Sequence, residues 1–189
     1  GNITLTTGQN FSSTGKEDLL VKKFSPNGVL QWAKKFGGKE SDFVNNISAD
    51  VNNNSYITGT FQDTLRLFDQ ILLSSPVTGV NVGFIIKLNP NGDLIWAKAL
   101  LTNNLSFPVK AMADINGNVL VCGHFEGNTD FDPGLNQNVL GSTGLSDIFF
   151  LKLNSEGNFI WVKKVGGTES ESVSDFELDL SGNIISTGL

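Results

Sequence analysis

Several residue types that chemistry usually needs are scarce in this sequence. Its 189 residues hold one cysteine, one methionine, one tyrosine, one histidine and one arginine, Arg66. The single Cys122 excludes an intrachain disulfide. The single His124 has no nearby histidine or cysteine pair to build a zinc site or a catalytic constellation with. Basic charge is also short. Thirteen Lys+Arg against 19 Asp+Glu leave a net charge of −6, which argues against a nucleic-acid partner. Long apolar runs are missing: the stretch Ile148 to Leu153 is broken by Lys152 and is far short of a membrane span. No signal peptide, lipidation motif, G-x-S-x-G elbow, H-E-x-x-H or P-loop is present. The chain starts at Gly1, in a strand-like run from Ile3 to Thr7, and stops after another from Asn183 to Thr187. The expectation is an interior piece of a longer or processed chain.

What is abundant is turn and strand chemistry, with 21 Gly, 21 Asn and 14 Phe. These residues recur in order. Trp32, Trp96 and Trp161 are spaced by 64 and 65 residues, within "NGVLQWAKKFGG", "NGDLIWAKALLT" and "EGNFIWVKKVGG". A turn glycine precedes each tryptophan (Gly28, Gly92, Gly157), and so does a lysine (Lys23, Lys87, Lys152). An aspartate follows each one: Asp50, Asp114, Asp179. The opening "GNITLTTGQNF" looks like the tail of a further copy with one residue inserted. The chain therefore divides into tandem repeats of approximately 1–61, 62–125 and 126–189.

The period is too long for ankyrin, tetratricopeptide or leucine-rich repeats, and no window keeps a helical spacing of apolar residues. Each unit instead predicts four short strands, the first two being Phe43–Ala49 and Ser55–Phe61 in the first unit. The third, "GFIIKL" or "DIFFLKL", is apolar on both faces, so it is buried on both. The fourth carries the tryptophan. D-x-x-G-N turns at Asp114–Asn118 and Asp179–Asn183 join strands one and two, with Gly117 and Gly182 suited to positive φ and Asn53 in their place in the first copy. Pro26-Asn27-Gly28 and Pro90-Asn91-Gly92 join strands three and four. Tandem four-stranded antiparallel sheets with doubly buried middle strands are blades of a β-propeller, with a stacked solenoid of sheets as the alternative. The fold class is all-β, with about three blades in a partial or open propeller. More blades or further chains are needed to complete a ring, because open blade edges invite association.

The pattern "SDIFFLKLNSEGNFIWVKKVGGTESESVSDFELDLSGNIISTG" resembles the bacterial SBBP (seven-bladed beta-propeller) repeat. The resemblance rests on Asp147, Lys152, Gly157, Trp161, Gly166-Gly167, Asp179, Gly182-Asn183 and Gly188. Unit two departs from it, with Leu101-Thr102 for the Gly-Gly and Gly83 for the aspartate. The resemblance implies a secreted or cell-surface bacterial protein of Bacteroidota type, of the kind exported by type IX secretion. It implies no catalytic role.

Two links between strands two and three are long, from Phe61 to Phe84 and from Phe125 to Ile148. Each contains two strand-like pieces, so an extra hairpin is expected on each unit, and such loops are where binding is expected. For the remaining candidates a structural role is expected. Cys122 reads as a buried inert thiol and His124 as a strand histidine. Asp50, Asp114 and Asp179 read as acceptors of backbone N–H groups in their turns. Asp130 and Asp132, in "TDFDPG", and the "DINGN" turn resemble calcium ligands in type, but they lack the rest of an EF-hand set. The repeated lysines are expected to pair with carboxylates, and the tryptophans to pack within or between blades. No catalytic, cofactor or metal residue is assigned.

The function expected is a non-catalytic extracellular scaffold, or a protein- or glycan-binding surface. Its partners would be other blades or domains of a parent protein, with no nucleic acid and no membrane span. The alternatives are part of a propeller enzyme with a central-channel site completed outside this segment, and a unit that self-associates through its open blade edges.

Overall fold

The computed structural model describes residues 2–4, 8, 10–13, 15–67 and 70–189. It is all-β, with sixteen strands among the described residues. They are β1 (Asn2–Thr4), β2 (Asn10–Ser12), β3 (Leu19–Phe24), β4 (Leu30–Gly37), β5 (Phe43–Ala49), β6 (Ser55–Phe61), β7 (Thr64–Leu67) and β8 (Gln70–Ser74). The chain continues through β9 (Val82–Leu88), β10 (Leu94–Leu100), β11 (Leu105–Ala113), β12 (Val119–Asp130), β13 (Val139–Leu153), β14 (Phe159–Val165), β15 (Val173–Leu178) and β16 (Ile184–Gly188). Of the expected opening strand Ile3–Thr7, only Ile3 and Thr4 fall in β1; 5–7 lie outside the described residues.

Two complete four-stranded antiparallel blades form, β5-β6-β9-β10 and β11-β12-β13-β14. Half-blades flank them: β3-β4 on one side and β15-β16 on the other. The sheets do not close into a ring.

Alternation along each strand builds the layers between sheets, because successive side chains point to opposite faces. In β9, Phe84, Ile86 and Leu88 join Leu19, Val21 and Phe36 in the layer toward β3-β4. Ile85, between them, joins Val119, Val121 and Phe149 in the layer between the complete blades. Leu120 and Cys122 face the third layer with Val173 and Phe176. Every residue of β9 is buried, as a doubly covered strand requires.

The long links do form hairpins, but the first does not stay on its own unit. β7-β8 joins the sheet of the preceding β3-β4, where Phe36 pairs with Leu67 and Gly37 with Arg66. The second link lengthens β12 and β13, and its far end crosses back in the same way. Thr102 bridges Thr129, and the Asp130 N–H donates to the Leu101 carbonyl (2.7 Å). Shifting the first set of pairs by one repeat reproduces the second. Each hairpin expected on these units is thus also a strap from one blade onto the last strand of the blade before it, a pairing the sequence did not indicate. The reason is the unpaired backbone at the end of the tryptophan strand: left bare, its edge would cost hydrogen bonds. Phe125, Phe131 and Phe149 stack beneath the second strap with ring centroids 4.8–6.3 Å apart.

Candidate functional site

The repeated tryptophans and lysines converge on one kind of joint. Lys23 on β3 sits opposite Trp32 on β4, and Lys87 on β9 sits opposite Trp96 on β10. Trp32 Nε1–H and Lys23 Nζ both donate to the Pro90 carbonyl, at 3.0 and 2.9 Å. Pro90 lies in the turn between the third and fourth strands of the next blade. One repeat later, Trp96 Nε1–H and Lys87 Nζ both donate to the Ser155 carbonyl, each at 3.1 Å. The turn glycine then lies on the indole face. A Cβ at Gly92 would stand 2.7 Å from the Trp32 ring, and one at Gly157 would stand 3.1 Å from the Trp96 ring. Both glycines hold positive φ, 78° and 80°, so turn geometry and the close approach demand the same residue. The tryptophans pack between blades as expected. Of the three repeated lysines, Lys152 alone has the expected carboxylate partner among the described residues, Asp114 at 3.1 Å; Lys23 and Lys87 serve the joint instead.

The aspartates after the tryptophans close their turns. Asp114 Oδ1 accepts from the N–H groups of Asn116 and Asn118 (both 2.9 Å), and Oδ2 accepts from Asn118 Nδ2 (3.0 Å). Asp50 and Asp179 make the same three bonds in their own turns. Burial alone would raise the Asp114 pKa, but Asn118, Lys152 and the turn amides together hold it below the ordinary value. Gly117 and Gly182 take φ of 78° and 80°, and Asn53 takes 62°, as the turn type requires.

Asp130 and Asp132 cap their loop. Asp130 Oδ1 accepts from the N–H groups of Asp132 (3.1 Å) and Asn138 (2.8 Å), and Asp132 Oδ1 accepts from the Gly134 N–H (2.8 Å). Among the described residues no three His, Cys, Asp or Glu side chains gather as a metal site would need. His124 stacks on Phe107 with centroids 4.8 Å apart, and burial lowers its pKa. Cys122 is fully buried and burial pushes its thiol up to about 12, so it stays protonated at neutral pH.

A second repeated constellation was not assigned from the sequence. Asp147 is completely buried, with Oδ2 accepting from Lys164 Nζ (2.8 Å) and from the Thr143 N–H (2.9 Å). Asp18 and Lys35 form the matching pair at 3.2 Å. Beside them, the Gly38 N–H donates to Asp42 Oδ2 (2.6 Å), and the Gly167 N–H donates to Glu171 Oε2 (3.0 Å). Asp42 is 2% exposed. Its desolvation pushes its pKa up to about 7, opposed by the Gly38 amide and helped by the nearby Asp18 charge. The signal was present in the repeat: an aspartate just before the apolar third strand, and Lys-Lys two residues after each flanking tryptophan. In unit two the strand register places Val82, not Gly83, where the aspartate belongs. Phe61 pairs with Val82 as Phe125, one repeat later, pairs with Asp147. The runs "GFIIKL" and "DIFFLKL" differ in length by one residue, so the position of Asp147 falls on Val82, one residue before Gly83.

The beta-propeller repeat model, SBBP, matches residues 31–60, which span the Trp32 strand and the first two strands of the next blade. The chain is a partial β-propeller. A WD repeat-containing protein of Acanthamoeba polyphaga mimivirus, L264, is 26% identical over 188 residues, covering 91% of this chain and 14% of that protein. The propeller segment thus spans about one seventh of the length of the curated relative it matches. The family match supports the resemblance read from the sequence, and both comparisons agree with a propeller scaffold built of repeats.

Proposed function

We propose that this propeller segment is a non-catalytic scaffold module of a larger secreted or cell-surface bacterial protein, presenting a protein- or glycan-binding surface. One observation carries it. The side chains that the repeat keeps (Trp, Lys, Asp and turn Gly) are engaged in joints between blades and in closing turns. Such residues hold a shape and leave no convergent set for chemistry. The acidic surface and the family resemblance support an extracellular setting and partners other than nucleic acid.

The test uses the parent protein, epitope-tagged within this segment. Protease added to intact cells is expected to cut the tag. Protection equal to that of a cytoplasmic control overturns the surface placement. Deleting the segment is expected to reduce adhesion or assembly of the parent, and unchanged adhesion and assembly overturn the scaffold role.

A further inference from the structure

We propose that the groove between β8 and β10 is a docking site for a lysine side chain carried by a partner protein. The proposal rests on the scaffold reading and adds the chemistry of the partner. The other two units show what fits in such a groove.

In those units a lysine three residues after the tryptophan spans the same place. Lys164 on β14 reaches across to the returning strand of its own unit's hairpin. Its Nζ donates to the Gly141 carbonyl (3.0 Å), to Thr143 Oγ1 (2.7 Å) and to Asp147 Oδ2 (2.8 Å). Lys35 on β4 acts alike, donating to the Ser12 carbonyl (2.8 Å) and to Asp18 Oδ2 (3.2 Å). In unit two the residue three after Trp96 is Ala99.

The wall that a lysine would reach is nevertheless in place. Gly141 sits opposite Asn128, and Ser74 sits opposite Thr64, one repeat earlier. Ser74 is therefore the counterpart of Gly141, whose carbonyl accepts from Lys164. Ser74 and Ala99 both line a groove of about 230 Å³. Unit two thus keeps the two walls that a lysine bridges elsewhere and shortens the residue between them to a methyl group. All of the walls come from the interior of the chain, between residues 72 and 134.

The lining suits a lysine that enters from outside. Leu72 and Leu73 on β8, Ala97 and Ala99 on β10, and Leu101 give an apolar path for its methylene stem. The second strap brings Asp130 and Asp132 to the same groove. Among the described residues neither carboxylate is paired with a lysine or arginine. Their remaining work is to accept loop amides through Oδ1. Lys98 borders the groove, but its Cε lies beside Gly157, toward the next blade with Trp96. An apolar path that ends at two carboxylates selects a long side chain with a positive tip. It disfavours an acidic or a purely apolar one.

The test is an NMR titration of the isotope-labelled 189-residue chain with the capped peptide acetyl-Gly-Leu-Lys-Leu-Gly-amide. The same peptide with norleucine for lysine keeps the stem and removes the charge. Saturable shifts of the Ser74, Ala99 and Leu101 amide signals are expected, with the norleucine peptide weaker by about fivefold or more. Ala99→Lys fills the groove from within, as Lys164 does in unit three. It is expected to abolish the shifts without lowering the urea midpoint. Asp130→Asn/Asp132→Asn keeps an oxygen for the loop amides and is expected to weaken binding by about threefold or more. No saturable shift at these residues overturns the proposal, as does equal binding of the norleucine peptide or undiminished binding to Ala99→Lys. Self-association of the chain that Ala99→Lys abolishes puts a second copy in the groove and overturns a separate partner. In the parent protein, Ala99→Lys is expected to reduce adhesion or assembly. Unchanged adhesion and assembly, where deleting the segment reduces both, overturns the partner role. A groove that ignores lysine leaves the surface placement of the parent standing, and a protected epitope tag leaves the groove standing.

Discussion

Gly166→Ala tests the buried aspartate at its tightest point. A Cβ at residue 166 would lie 2.2 Å from Asp147 Oδ1 and 2.4 Å from its Cγ. The carboxylate has nowhere to retreat, because it is fully buried and held by Lys164 and the Thr143 amide. Moving it breaks a buried charge pair, at about 3–5 kcal/mol. We expect Gly166→Ala to cost about 3 kcal/mol or more. Asp147→Gly removes the carboxylate and frees Lys164, which is exposed enough to be solvated, but it strands the Thr143 amide; we expect about 2 kcal/mol. If the clash is with the carboxylate, Gly166→Ala in the Asp147→Gly background costs less than about 1 kcal/mol, the scale of backbone propensity alone. The double-mutant cycle then shows a coupling of about 2 kcal/mol or more, read by urea unfolding of all four proteins. Equal costs of Gly166→Ala in both backgrounds would refute the reasoning.

The other predictions follow from the joints, turns and buried acid. Trp96→Phe keeps an aromatic ring but loses the bond to the Ser155 carbonyl, and should cost about 1–2 kcal/mol by chemical denaturation. An unchanged midpoint would remove the bond from the joint's energetics. Asp114→Ala strips two turn amides and Lys152 of their acceptor and should cost about 2 kcal/mol, while Asp179→Ala, in an exposed turn, should cost less. Equal losses would contradict the role assigned to burial. Asp42 has a folded pKa of about 7, above the ordinary 3.8, so folding favours its protonated form. Its effect is absent below about pH 4, and stability falls between about pH 4 and 7 as the unfolded chain alone releases the proton, by up to about 4 kcal/mol. Asp42→Asn keeps an acceptor for the Gly38 amide and should flatten that fall; melting curves with an unchanged pH slope would count against it.

Much of the architecture was legible because the repeat aligns residues with one job in every blade. The turn aspartates, the positive-φ glycines and the doubly buried third strand follow from local chemistry, and local chemistry is visible in a sequence. The destination of the long links was not legible. "TLRLF" and "TDF" read as strand pieces, yet nothing local says which edge they pair with. That edge belongs to the previous blade, far back in the chain, and pairing at such separation leaves no periodic signature. Phe68 and Asp69, in the first link, lie outside the described residues. The lysines misled for a related reason. Lys23 and Lys87 find a backbone carbonyl, and a carbonyl has no residue type to recognise.

The departures of unit two become a single structural exchange once the strand register aligns the three units. Asp18 and Asp147 each face a glycine, Gly37 or Gly166, and each has a lysine partner, Lys35 or Lys164. Unit two replaces all three residues together, with Val82, Leu101 and Ala99. Val82 is fully buried in the apolar layer with Phe61 and Leu65, so the place of the carboxylate is taken by a side chain that needs no partner. Without the carboxylate the lysine has nothing to hold, and the facing residue is free to carry a side chain. Leu101 does so at 39% exposure. The second carboxylate goes as well, because Ser106 stands ten residues after Trp96 where Asp42 and Glu171 stand after Trp32 and Trp161. Its hydroxyl accepts from the Gly83 N–H (2.7 Å) and donates to the Leu100 carbonyl (2.7 Å). A neutral hydroxyl therefore does the polar work of this corner, and a buried charge is not required to join one blade to the next. The double variant Asp147→Gly/Gly166→Ala carries the last complete blade part of the way to the same arrangement.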